Sequence, residues 1–99
     1  MALDKPELPM RRILIMIKCR LGAAYTVAGE IADDVENASF VYSISGQYDL
    51  IAQFNLDANE DIGRFVNEKV HCIDGIVDTH TLICFNAFSK DKGITDAAE

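Results

Sequence analysis

Ser39-Phe-Val-Tyr-Ser-Ile-Ser-Gly-Gln-Tyr-Asp-Leu-Ile-Ala-Gln-Phe-Asn-Leu56 is the stretch on which the reading of this chain depends. Phe40, Tyr42 and Ile44 recur at every second position, the period of a strand. Leu50, Ala52, Phe54 and Leu56 do the same on the far side of Gly46-Gln47. A Gly-X pair between two such runs signals a tight hairpin. The middle of the fold is therefore a pair of antiparallel strands joined without a crossover.

Upstream, Arg12-Ile-Leu-Ile-Met-Ile-Lys-Cys19 is an apolar, β-branched run without polar alternation, suited to a central strand covered on both faces. Gly22 breaks it, and Ala24, Val27, Ala28, Ile31 and Val35 then recur at helical spacing. Asp33, Asp34 and Glu36 are unfavourable at the negative end of that helix, and Asn37 offers it a left-handed exit. Downstream, Asp57 with Glu60 three residues later resembles a capping box. The helix it opens has the stripe Ile62, Phe65, Val66, Val70 and Ile73, and Asp74-Gly75 stops it. A last strand runs from Ile76 to about Phe88.

The order β-α-β-β-α-β predicts an α+β, ferredoxin-like sandwich. Its four-stranded antiparallel sheet carries two helices on one face, and right-handed crossovers make the first and last strands neighbours. Residues 11–88 form this domain; residues 1–10, with Pro6 and Pro9, read as a flexible arm, and residues 89–99 as an acidic tail.

Composition bounds the function. Ninety-nine residues, 49% hydrophobic with six glycines and two prolines, make one globular domain. A domain of that size buries only roughly 60–65% of its unfolded surface, so help from a partner subunit matters. A net charge of −7 has the wrong sign for holding phosphate backbones, which argues against direct nucleic-acid binding. Cys19, Cys72 and Cys84 are widely spaced and odd in number, which argues against a disulfide scaffold or zinc site and for a reducing, cytoplasmic setting. The apolar run Ile13–Ile17 is too short to cross a bilayer. No nucleophile elbow, phosphate loop or dinucleotide fingerprint is visible, so no catalytic residue, cofactor or metal is expected. His71 and His80 read as surface or interface imidazoles. Cys19 and Cys84 read as small core residues, and Cys72 as the most reactive of the three thiols.

Both sheet faces are apolar. Ile13, Ile15 and Ile17 point one way on the first strand, Leu14 and Met16 the other. On the last strand Val77, Ile83 and Phe85 oppose Leu82, Cys84 and Phe88. Two helices cover only one face, so a second chain is expected on the other, through Leu14, Met16 and Leu82.

One segment suggests a ligand. Asp is disfavoured in strands, yet Asp49 stands at a strand's start, beside Tyr48 and shortly after Gly46. A glycine lets backbone N–H groups approach a carboxylate, and Asp49 suits an ammonium group; together they fit a free amino acid. The plainer alternative is a simple hairpin, with Tyr48 a packing aromatic and Asp49 a turn cap.

The stretches Ile17-Lys-Cys-Arg-Leu-Gly22, Ala24-Tyr25-x-Val27-Ala28 and Val41-Tyr-Ser-Ile-Ser-Gly-Gln-Tyr-Asp-Leu50 resemble the effector-binding (RAM) domain of the Lrp/AsnC regulators. Phe65-Val-x-Glu-Lys69, Ile73-Asp-Gly-Ile-Val77 and Thr79-x-Thr-Leu-Ile-x-Phe85 continue the resemblance, which spans Arg11–Phe88. It implies a ferredoxin-like domain that dimerises through its sheet, assembles into rings of dimers and binds an amino acid or related small effector between dimers. Carried onto this chain, it points to Gly46, Gln47, Tyr48 and Asp49, with Thr79 and Thr81 nearby. Regulators of this kind carry an N-terminal helix-turn-helix that ten residues before Arg11 do not supply, so a stand-alone effector domain is expected, acting on transcription by association with full-length regulators. Two alternatives are a ferredoxin-like dimeric enzyme of the small monooxygenase or isomerase kind, with His71 or His80 as base, and a purely structural ring partner.

Overall fold

Nine extended residues, Arg11–Cys19, form β1 at the inside of a four-stranded sheet. The structure, a computed structural model, describes residues 10–89 and 93–95. Helix α1 (Ala24–Asp34) follows, then β2 (Ala38–Ser43) and β3 (Leu50–Leu56). The second helix, α2, opens as an α-turn over Ile62–Phe65 and continues as a π-helical turn over Val66–Val70. Then come β4 (Ile76–Ile83) and two short strands, β5 (Ala87–Ser89) and β6 (Gly93–Thr95). The main sheet has the order β2-β3-β1-β4, with every pair antiparallel. This is the α+β, ferredoxin-like arrangement expected from the element order.

The core lies between sheet and helices. Ile13, Ile15 and Ile17 are fully buried and stand beside Phe54, Ala52 and Leu50 of β3, which are buried too. Val27 and Ile31 of α1 and Phe65, Val66 and Val70 of the second helix close this layer. Phe54 and Phe65 meet edge to face with ring centroids 5.2 Å apart.

Several boundaries differ from the sequence reading. The hairpin is wider than a Gly46-Gln47 turn: the strands stop at Ser43 and Leu50, and one further bond, Ile44 N–H to Asp49 O at 2.9 Å, closes a loop over residues 45–48. The second helix is capped by Asp61, whose carboxylate accepts the Arg64 N–H at 3.2 Å. The expected cap pair, Asp57 and Glu60, forms only the preceding turn through Glu60 N–H to Asp57 O at 3.0 Å. Helix α1 leaves through an extended Val35, and Asn37 instead ties to β3 with its side-chain amide on Asn55 O at 3.0 Å. The last strand ends at Ile83, opposite Ile13 of β1, with one further bond from Cys84 N–H to Arg12 O, and so stops short of the expected Phe88. Beyond it β5 pairs with β6, so residues 93–95 of the expected tail form a strand. Val77 sits in the register shift opposite Lys18 and Cys19, 66% exposed, and so joins neither face of the expected alternation. The expected arm, residues 1–10, lies outside the described residues except for Met10.

Candidate functional site

Antiparallel pairing brings the end of β1, the end of β2 and the starts of β3 and β4 to one end of the sheet. The loop carrying Gly46, Gln47, Tyr48 and Asp49 crosses that end. Gly46 has φ +113°, a conformation L-residues rarely adopt, while a Cβ there would meet nothing within 4 Å. The glycine is needed for the path of the chain and not for room. Gln47 is exposed, and Tyr48 is half-buried with its ring centroid 6.4 Å from that of His80.

Asp49 laces the loop to β1 twice. Its N–H donates to Ile17 O at 2.8 Å, and its Oδ2 accepts the Cys19 N–H at 2.8 Å. Cys19 lies where the β1–β4 ladder shifts register, so the carboxylate supplies an acceptor at a break in the backbone pairing. Burial pushes the Cys19 thiol above its ordinary value of 9.0, and the Asp49 carboxylate adds to this against the opposing charge of Lys18. The carboxylate thus has a structural partner other than the hairpin that the turn-cap alternative gave it: it reaches another strand, thirty residues away. Local sequence carries no trace of that partner.

Thr79 and Thr81 are in register with Ile17 and Ile15, on the helix-covered side of the sheet. Thr79 Oγ1 lies 2.8 Å from His71 Nε2 at the end of the second helix. Tyr48 lies instead near His80, which is in register with Met16 and so on the open side. One chain therefore brings Gly46–Asp49 together as a unit and keeps Thr79 and Thr81 on the opposite face. His71 and His80 are likewise separated by the sheet.

The open face is set by the same registers. One row is Phe40, Gln53, Leu14 and Leu82; the next is Tyr42, Ile51, Met16 and His80. Leu14 and Met16 are half-buried, Leu82 is 39% and Tyr42 60% exposed, and the Phe40 and Tyr42 rings meet tilted at 39° with centroids 4.8 Å apart. Arg12 and Lys18 lie on this face by the same alternation, and Asp78, opposite Lys18, is its only carboxylate among the paired strand residues. Among the described residues no group of three His, Cys, Asp or Glu side chains is arranged to hold a metal ion. No helix there is long and apolar enough to cross a membrane.

The model of the Lrp/AsnC ligand binding domain matches residues 12–94 of the chain. No curated protein matches it in sequence at a significant level. Among solved structures it is similar to FFRP-DM1, with 25% identity and a TM-score of 0.71 over 77% of this chain and 100% of that one. TTHA0845 from Thermus thermophilus is similar at 26% identity and a TM-score of 0.69, over 82% of this chain and 100% of that one. E. coli AsnC shares the fold at 20% identity and a TM-score of 0.65, over 75% of this chain but 50% of AsnC. With the family's model matched from the second residue of β1 to within β6, on a fold these structures share, the chain belongs to the Lrp/AsnC ligand binding domain family.

Proposed function

We propose that this chain is a non-enzymatic effector module that binds a free amino acid at the Gly46–Asp49 loop and associates with copies of itself through the open sheet face. The observation that carries the ligand reading is the loop itself: a positive-φ glycine and an aspartate anchored to β1 hold Gln47 and Tyr48 at the sheet end. The exposed N–H groups of such a loop suit a carboxylate, and the Asp49 oxygen not bonded to Cys19 suits an ammonium group. Thr79 and Thr81 face away from Tyr48 within one chain, so they reach the same ligand only if it sits between dimers, supplied from a neighbouring copy. Association with full-length Lrp/AsnC regulators would use these same surfaces.

Self-association is supported by the chemistry of the open face. A chain of net charge −7 repels its own copies, and this face is where carboxylates are sparse and apolar side chains are dense. Leu14, Met16 and Leu82 are its expected centre.

A second reading, the purely structural ring partner, gains from one observation: Asp49 already spends a carboxylate oxygen on the Cys19 N–H. Native mass spectrometry with and without an amino-acid mixture separates the two. Bound mass on an oligomer supports the effector module; an oligomer that takes up no amino acid at millimolar concentration leaves the structural reading.

A further inference from the structure

We infer that His80 makes the self-association of this chain pH-sensitive: the copies separate as the imidazole takes up its proton. The inference rests on the self-association reading above and adds the residue that regulates it. His80 is a titratable side chain among the apolar members of the open face. Met16 stands directly beside it on β1, Ile51 and Tyr42 continue the same row, and Leu82 and Leu14 form the next. Covering that face with a second copy takes water from the side of the imidazole that the copy meets.

The sign follows from the groups around it. Desolvation disfavours the charged form of an imidazole. Three charged or titratable groups face His80: Asp78 two residues along β4, Lys18 opposite Asp78 on β1, and Tyr48, whose ring lies 6.4 Å away. Asp78 and Lys18 carry opposite charges and act on the imidazolium in opposite senses, and the contact with Tyr48 is one between rings. Desolvation is left to decide. A two-fold interface buries two copies of His80, so the desolvation acts twice per dimer. Association is therefore tightest above the imidazole's titration range and weakens as pH falls through it.

Tyr48 gives the device a second connection. It belongs to the proposed ligand loop, and its ring lies 6.4 Å from that of His80 on the open face. The loop and the association surface thus meet at one imidazole, which lets proton uptake be felt at both.

Sedimentation equilibrium of the full chain at about pH 8 and about pH 5.5, on either side of the imidazole range, tests this. We expect the dissociation constant to rise at least about tenfold at the lower pH, since up to two protons are taken up per dissociating dimer. His80→Gln should abolish that change, and His71→Gln, altered on the other side of the sheet, should keep it. As an independent readout, the His80 ring-proton resonance should titrate at lower pH in concentrated than in dilute samples. Equal association at both pH values, or a dependence that survives His80→Gln, overturns the switch while the self-association reading stands. A monomer at the higher pH overturns both.

Discussion

Asp49 is read two ways by its residue type and one way by its contacts. Its carboxylate accepts the N–H of the nearly buried Cys19, so removing it strands a backbone donor. We expect Asp49→Ala to lower unfolding stability by about 1–3 kcal/mol in denaturant titrations. Asp49→Asn keeps an oxygen for Cys19 and should lose less. If Asp49 also holds a ligand ammonium, the Asn variant should stay folded yet weaken amino-acid binding in calorimetry by about tenfold, the worth of a charged hydrogen bond over a neutral one. Stability restored with binding unchanged would confine Asp49 to its structural bond. The thiol beside it gives a second prediction. Its value is raised in the fold, so the unfolded chain releases this proton first; the contribution to stability is full below 9.0 and is lost as pH rises through the folded value. Near pH 8 an alkylating reagent should therefore modify exposed Cys72 and spare buried Cys19, which peptide mass mapping reads directly.

At the scale of elements, the turn between the second helix and β4 leaves less room for a side chain at its glycine than any other described glycine has. Gly75 has φ +103°, and a Cβ there would lie 3.0 Å from Val27 Cγ2 and 3.1 Å from the Ala23 side chain of the α1 start. Its carbonyl also accepts the Arg20 N–H at 2.7 Å. Gly46 shares the positive φ but has open space around it. We expect Gly75→Ala to cost about 1–3 kcal/mol in steric conflict, beyond the roughly 1–2 kcal/mol of backbone strain it shares with Gly46→Ala. Paired thermal melts of the two variants check the order; equal losses would mean that α1 yields to the extra methyl group. Helix stripes and strand alternation were legible at this scale, because each is a local repeat. The cap was not: Asp57 and Asp61 both stand ahead of a helical stripe, and only the observed Asp61 bond to the Arg64 N–H separates them.

For the whole molecule, the decisive feature is a sheet whose second face also carries a run of apolar side chains, Phe40, Leu14 and Leu82 beside Tyr42, Ile51 and Met16. Met16 lies within that face, between Ile51 and His80. We expect Met16→Lys to turn an oligomer into a monomer in light scattering, because an unpaired charge buried in an apolar interface costs about 3–5 kcal/mol. An unchanged oligomer would move the interface elsewhere on the chain. The pH response inferred for His80 belongs to the same surface, and the two variants together distinguish a face that merely associates from one that also senses protons.

What the sequence determined by itself is whatever rests on near neighbours. The two-residue and three-to-four-residue apolar periods specify strands and helices, and their order, with handed crossovers, specifies which strands adjoin. The apolar composition of both faces of β1 was likewise visible, since alternation along one strand sorts its residues without reference to any other. The tertiary structure alone decided where the last strand stops, at Ile83 opposite Ile13 of β1. It alone gave Asp49 its partner on Cys19, put Thr79 with His71 on one side of the sheet, and put Tyr48 with His80 on the other. Those pairings join residues far apart in the chain or on strands whose register shifts, and no local pattern encodes the sum of turns and registers that brings them together.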